Sequence, residues 1–336
     1  MIKKHKTIPI FIPGLACPFQ CIYCNQKMIS GQQHIPSEHE IHSIVKTHLK
    51  TIDHEKHIIE IGFFGGNFTG LSTEVQEALL KVTNGYLQSG QVDAIRLSTR
   101  PDYINEENLK LLLHYGVETI ELGAQSMDDE VLQKVGRGHS SQDIVAAAGM
   151  IKKLGFKLGL QMMIGLPGDT VEKSIMTARQ IIELGAENTR IYPLLVIKQT
   201  PLEEMFLKGE YVPLKLEEAV EQVKALYSLF EENHVKIIRV GLHPSEGLIN
   251  GENYIAGPFH ASFRELVLSA IWREAFTPLM TNKKNRNITV FVSPDEINYA
   301  VGYESSNKKI LKTHFYHVEF KPDNELNGRN YRVNYS

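Results

Sequence analysis

Short apolar runs alternate with longer amphipathic stretches along most of this chain. Lys6–Ile12, His57–Phe64, Ala94–Ser98, Thr119–Leu122, Lys157–Met162, Thr189–Tyr192 and Ile237–Val240 are rich in Ile, Leu and Val, a composition that predicts buried strands. Between them, apolar residues recur at helical spacing over Ser37–Thr51, Thr73–Leu87, Glu106–His114, Ser141–Lys153, Thr170–Leu184 and Leu216–Asn233. Ser37 with Glu40 makes a capping box at the start of the first of these helices. Gly155 supplies the stop of the fourth. Strands alternating with helices imply a parallel sheet with right-handed crossovers. Six or seven such units predict an α/β fold, a partial or near-complete (β/α) TIM-type barrel. In such barrels function sits on loops at the C-terminal ends of the strands. The cysteines, Asn67, Thr99-Arg100, Gln125-Ser126 and Gln161 fall at those ends.

After Phe276 the rhythm changes. Ile288–Val292 reads as a strand, Pro294–Val301 as a helix, Gly302-Tyr-Glu-Ser305 as a turn, Ser306–Thr313 as a helix and Tyr316–Phe320 as a strand. This divides the chain into a barrel over residues 1–276 and a small C-terminal α+β cap over 277–336. The cap carries nine Lys and Arg against six Asp and Glu, whereas the chain as a whole has a net charge of −3. The whole is therefore no polybasic nucleic-acid binder, and a basic excess of three on the cap is modest. A hydrophobic fraction of 42% supports a sizeable core. No run of eighteen apolar residues appears, and no apolar stretch of signal-peptide type follows Met1-Ile-Lys-Lys-His-Lys6. The expectation is a cytoplasmic protein with no membrane span.

Chemistry enters with Cys17-Pro-Phe-Gln-Cys21-Ile-Tyr-Cys24, which holds all three cysteines of the 336 residues in a C-x3-C-x2-C loop after the first strand. Three thiolates can hold three corners of a metal–sulfur cluster, and such clusters usually take four. With no fourth cysteine, one iron is open to a non-protein ligand. A structural zinc would need a fourth ligand from elsewhere, such as His34, and a disulfide would leave an odd thiol.

The spacing, the aromatic Tyr23 before the last cysteine and the position after a first strand resemble the signature of radical S-adenosylmethionine (SAM) enzymes. That resemblance implies a [4Fe-4S] cluster on Cys17, Cys21 and Cys24. It also implies S-adenosyl-L-methionine chelated through its amino and carboxylate groups at the open iron, a reducing electron donor, and cleavage to a 5′-deoxyadenosyl radical that abstracts a substrate hydrogen. Gly65-Gly66-Asn67 is similar to the family's Gly-Gly-Glu-like motif for the SAM amino group, with Asn67 where the family has a carboxylate. Arg100 has two readings, a partner for the SAM carboxylate or for Asp102. Gln125 and Ser126 are placed on the sugar hydroxyls or the substrate cavity, and Gln161 is a further cofactor-binding candidate. His139 reads either as a proton-transfer group or as a hydrogen-bonded structural residue, and Met162 and Met163 read as core.

Phe63-Phe-Gly-Gly-Asn-Phe-Thr69, Thr99-Arg-Pro-Asp-Tyr103, Glu121-Leu-Gly-Ala-Gln-Ser126, Gly136-Arg-Gly-His139, Met162-Met-Ile-Gly-Leu-Pro167 and Ile191-Tyr-Pro-Leu-Leu-Val-Ile197 resemble the catalytic subunit of the Elongator complex, which modifies the wobble uridine of tRNA. The likeness runs from about Ile8 to Glu274. Elongator spaces its first two cysteines more widely and carries a C-terminal acetyltransferase domain, for which the sixty residues after Phe276 are too few. Acetyl-CoA is therefore not carried over. The cap's β-α-turn-α-β order resembles a KH module, with Ser305 in place of the second Gly of its Gly-x-x-Gly loop and Lys308 and Lys309 following; its other reading is a plain cap. RNA, and tRNA within it, is the expected substrate. Two rivals stand beside it. One is a radical enzyme on a small metabolite such as a porphyrin, since oxygen-independent coproporphyrinogen oxidases share the cysteine spacing. The other is a non-catalytic, redox-sensing iron–sulfur protein that binds nucleic acid.

Overall fold

All seven predicted apolar runs become strands of one parallel sheet. They are β1 (Lys4–Ile12), β2 (His57–Gly65), β3 (Ala94–Thr99), β4 (Val117–Gln125), β5 (Lys157–Ile164), β6 (Asn188–Pro193) and, after the two-residue β7 (Val196–Ile197), β8 (Lys236–Val240). The order β1-β2-β3-β4-β5-β6-β8 is linear and leaves β1 and β8 as edges, so the curled sheet is a half-barrel and not a closed one. β7 pairs instead with β9 (Tyr254–Ala256), antiparallel. This computed structural model describes residues 3–14, 17, 21–243, 245–281 and 286–336. The chain divides into two units, Met1–Leu214 with Leu229–Phe259, and Lys215–Ser228 with His260–Ser336. Among the described residues no helix is long and apolar enough to cross a membrane.

The helices largely follow the predicted periods. Glu106–His114 and Ser141–Lys153 match end to end, and Glu38–Leu49 starts on the predicted Ser37–Glu40 capping box. Among the described residues, five helices have no counterpart in the apolar periods of the sequence: Gln26–Ser30, Asp129–Lys134, Pro201–Leu207, Glu246–Ile249 and Phe263–Ala275.

Strand residues point alternately to the two faces of the sheet. On one face Ile59, Ile61, Ile95, Leu97, Ile120, Leu122, Leu158 and Leu160 are buried. The alternate positions Glu60, Arg96, Glu121, Gln161 and Arg190 meet on the other. Arg96 Nε donates to Glu60 Oε2 (2.8 Å) and Nη1 to Glu121 Oε1 (2.6 Å). Arg190 donates to both oxygens of Glu121 (2.5 and 3.0 Å), and its guanidinium lies 4.7 Å over the Phe64 ring. Gln161 Nε2 donates to Glu121 Oε2 and to Ser98 Oγ, both at 3.0 Å. Closed barrels of this type fill the interior with branched apolar side chains; here a charged, hydrogen-bonded layer occupies it.

In the second unit β10 (Ile288–Val292) is the central strand, parallel to β11 (Val318–Pro322) and antiparallel to β12 (Tyr331–Tyr335). Trp272, Phe276, Ile288, Val290, Val292, Leu311 and Phe315 form its core. The predicted β-α-turn-α-β order is present, with helices Ile297–Val301 and Ser306–Lys312. At the turn Gly302 has φ +85°, and a Cβ there would lie 2.5 Å from Ser306 Oγ. Glu304 and Ser305 follow with φ of 51° and 61°. Side chains other than Gly adopt this left-handed region with strain.

Candidate metal centre

The cysteine loop leaves the C-terminal end of β1 and is held from several sides. Cys17 N–H donates to Gly14 O (3.1 Å) and Cys24 N–H to Cys21 O (3.0 Å). The residues on either side of Cys17, positions 15, 16 and 18–20, lie outside the described residues. Ile22 donates its N–H to Val135 O (3.1 Å) and accepts at its carbonyl from Leu202 N–H (2.9 Å). Asn25 caps the helix Gln26–Ser30, and its Nδ2 donates to Lys198 O (3.3 Å). Asn253 Nδ2 donates to Met28 O (2.7 Å). Beneath the loop, Cys21 and Tyr23 pack on Val131, Val135, Leu166, Leu194, Val196, Leu202 and Tyr211. The anchors thus come from the segments after β4, β5 and β6, and from the residue just before β9.

Gly65 and Gly66 close β2 against the start of this loop. Gly66 N–H donates to Ile12 O (2.8 Å). At Gly65, with φ +102°, a Cβ would stand 2.5 Å from Ile12 O, and at Gly66 it would collide with Pro13 O. Gly65 is required by the approach of the last residue of β1 and Gly66 by that of Pro13 just after it, whatever else they contact. Asn67 is buried, and its Oδ1 accepts from Thr99 Oγ1 (2.7 Å) and from Arg100 N–H (3.2 Å), tying this turn to β3.

The three thiols lie within electrostatic reach of one another. Burial pushes Cys24 up to about 12, with help from Cys21 and Cys17. Burial also raises Cys17, against the pull of the Arg100 guanidinium and the Asn67 N–H. Among the described residues no three His, Cys, Asp or Glu side chains converge on one point as a single metal ion would require. A cluster, which takes one thiolate at each corner, does not ask for that convergence.

Arg137, which the sequence reading passed over, is buried with three partners. Its Nη1 donates to Cys21 Sγ (3.4 Å), Nη2 to Gly123 O (2.5 Å) and Nε to His139 Nε2 (3.1 Å). His139 is therefore an acceptor at Nε2. Burial, Arg137 and Arg100 lower its pKa to about 4, so it is neutral at pH 7. Arg100 pairs with Asp102 through Nε and Nη2, both at 2.9 Å, which is one of its two sequence readings, and Nη2 also donates to Arg137 O.

Gln125 ends β4 at φ +68°, after a register shift, and its buried Oε1 has no hydrogen-bond partner. Ser126 Oγ accepts from Asp128 N–H (3.1 Å) and lies 3.5 Å from Thr177 Oγ1, inside the wall. Gln161 is not at a strand end, because β5 runs on to Ile164; its amide belongs to the Glu121 layer. Met162 is fully buried, and Met163 packs beside the cysteine loop. Soft thiols beside a guanidinium fit a [4Fe-4S] cluster. The unpartnered Gln125 acceptor fits a polar ligand such as SAM.

Residues 11–181 match the profile of the Radical SAM superfamily, and residues 186–273 that of the Radical_SAM C-terminal domain. The tRNA uridine(34) acetyltransferase of Methanocaldococcus jannaschii is 31% identical over 201 residues, which is 54% of this chain and 37% of the relative. The heme chaperone HemW of Bacillus subtilis is 29% identical over 259 residues, 74% of this chain and 66% of the relative. The structure of archaeal Elp3 from Methanocaldococcus infernus superposes with a TM-score of 0.61 at 24% identity, covering 82% of this chain and 64% of that one, a likeness of fold. This chain spans about half or less of the length of the acetyltransferase relatives.

Proposed function

The chain belongs to the radical SAM superfamily and is a radical SAM enzyme, and we propose that it uses this chemistry to modify RNA, with tRNA as the substrate. The observation that carries the cofactor part of this reading is the set of three neighbouring thiols beside a buried guanidinium at the mouth of a parallel half-barrel. Cys17, Cys21 and Cys24 would hold three irons of a [4Fe-4S] cluster. When bound, the cluster and SAM supply a 5′-deoxyadenosyl radical for hydrogen abstraction. The Gly65-Gly66 turn would offer backbone carbonyls to the SAM amino group. Arg100 would receive its carboxylate by exchanging Asp102, and Gln125 Oε1 and Ser126 would face its sugar. Asn67 positions this turn through Thr99 and Arg100. Gln161 would line the cavity floor together with Arg190 and Phe64.

In this reading residues 1–276 carry the chemistry in a reducing, cytoplasmic setting, and 277–336 form a KH-like cap that contacts RNA. The likeness to a tRNA uridine(34) acetyltransferase supports the choice of tRNA. A second reading, a porphyrin-related small substrate, is favoured by the match to a heme chaperone over 74% of this chain.

The test uses anaerobically reconstituted protein with dithionite and SAM, with and without total tRNA. 5′-Deoxyadenosine formation that rises with tRNA supports the RNA reading. Formation indifferent to tRNA moves the substrate to a metabolite. None at all, from iron-loaded protein, refutes the enzyme and leaves a redox-sensing binder. Cys17→Ala, Cys21→Ala and Cys24→Ala should each abolish iron retention.

A further inference from the structure

We infer that Arg137 is a positioning residue for electron uptake: its guanidinium is the buried counter-charge of the three-cysteine site, and it raises the one-electron reduction potential of the cluster held there. The inference rests on the proposed reading of Cys17, Cys21 and Cys24 as cluster ligands.

An arginine side chain stays protonated in proteins, and a buried charge is costly unless it is paired. The other buried arginines meet this need with carboxylates: Arg96 with Glu60 and Glu121, and Arg100 with Asp102. Arg190, slightly more exposed, is paired with Glu121. Arg137 is as buried as Arg96, at 7% exposure each, yet its acceptors are a peptide carbonyl, a neutral imidazole and the Cys21 sulfur. Among the described residues no Asp or Glu bridges it. The residues outside that set, positions 1, 2, 15, 16, 18–20, 244 and 282–285, include no acid at all. The only anionic group its position can serve is the sulfur site.

That position has a redox consequence. One electron from a low-potential donor such as dithionite adds one negative charge to the centre and oxidises the donor by one electron. Net charge and hydrogen bonds to sulfur are two of the levers that set iron–sulfur potentials, and Arg137 supplies both. Arg100 stands near Cys17, but Asp102 already neutralises it. Gly123 O and His139 Nε2 fix the guanidinium so that one N–H reaches Cys21.

The experiment is a redox titration, followed by electron paramagnetic resonance, of the reconstituted full chain and of Arg137→Met, Arg137→Gln and Arg137→Lys. Met and Gln should each lower the midpoint potential so that the reduced-to-oxidised ratio at a fixed potential falls at least tenfold, 59 mV for one electron. Lys should fall between them and the native protein. Circular dichroism and iron content serve as controls for folding. Iron-loaded Met and Gln variants at the native potential overturn the inference. Folded variants that retain no iron also overturn it, by making Arg137 a structural support of the loop. Failure of the native chain itself to take up a cluster would instead sink the underlying reading of the cysteines.

Discussion

Glu121→Gln is the substitution that tests the barrel interior most directly. Glu121 is 1% exposed and accepts four hydrogen bonds, one from Arg96, two from Arg190 and one from Gln161. Burial pushes its pKa up, but Arg190 and Arg96 overcome this and hold it below the ordinary carboxylate range. Glutamine keeps one acceptor oxygen and turns the other into a donor facing arginine N–H groups. Arg96 retains Glu60, whereas Arg190 loses its only ion-pair partner among the described residues. Removing one member of a buried pair costs about 3–5 kcal/mol. Global unfolding is a poor readout, because the chain has two units and its single tryptophan, Trp272, lies in the second. Native-state hydrogen exchange read by peptide is the better assay. Amides in 94–125 and 157–164 should exchange roughly two to three powers of ten faster, at about 1.4 kcal/mol per tenfold. Those in 288–322 should stay unchanged. The depressed pKa also means that native Glu121 contributes stability above the free glutamate range, lost as pH falls through the folded pKa. The variant's acid limb should therefore be flatter. Protection in β3–β5 within threefold of the native protein would refute the view that this charged layer supports the half-barrel.

Three further outcomes follow from local geometry. Gly65→Ala meets Ile12 O at 2.5 Å in a left-handed conformation, so it should displace the β1–cysteine junction and lower iron retention, measured as iron per chain. His139 is held neutral down to about pH 4, against 6.5 for a free imidazole. It should contribute roughly 3 kcal/mol that is complete above pH 6.5 and disappears as pH falls to about 4. His139→Asn keeps an acceptor for Arg137 and should remove one proton from the pH dependence of native-state amide exchange in 117–125 in that window. In the second unit Asn307 Nδ2 donates to the carbonyls of Ser269 (2.9 Å), Ala300 (3.2 Å) and Tyr299 (3.4 Å). Asn307→Ala should destabilise this unit by about 1–3 kcal/mol, read from the urea transition of Trp272 fluorescence.

Features carried by local spacing were legible in the sequence. The strands and most barrel helices announce themselves by period, and the cysteine loop by the interval between thiols. Some missed elements had signals of their own. Thr200-Pro201 with Glu203 is a helix start, with Thr200 accepting from Glu203 N–H and Pro201 in the first turn. Phe263–Ala275 has an apolar face, and Tyr331–Tyr335 alternates partly buried with exposed residues. What no spacing could disclose is pairing across the fold. Arg137 stands 116 positions from Cys21, and nothing at position 137 predicts a sulfur partner. The Gly-Gly turn was recognisable, but its steric reason, the backbone of β1, became visible only once β1 and β2 lay side by side. Gln161 belongs to the interior layer and not to the rim because Met163 and Ile164 carry β5 two residues beyond Met162, pairing with Tyr192 and Pro193.

The clamp on the cysteine loop has a consequence for how the protein is made. Met28 waits for Asn253, 225 positions later, and Asn25 waits for Lys198. At ribosomal speeds of about 5–20 residues per second, the thiols emerge roughly 10–45 s before their last anchor is synthesised. During that interval they belong to an unclosed chain, open to oxidation or to pairing with one another. The cysteine loop, among the first segments to leave the ribosome, is thus among the last parts of its unit to be completed.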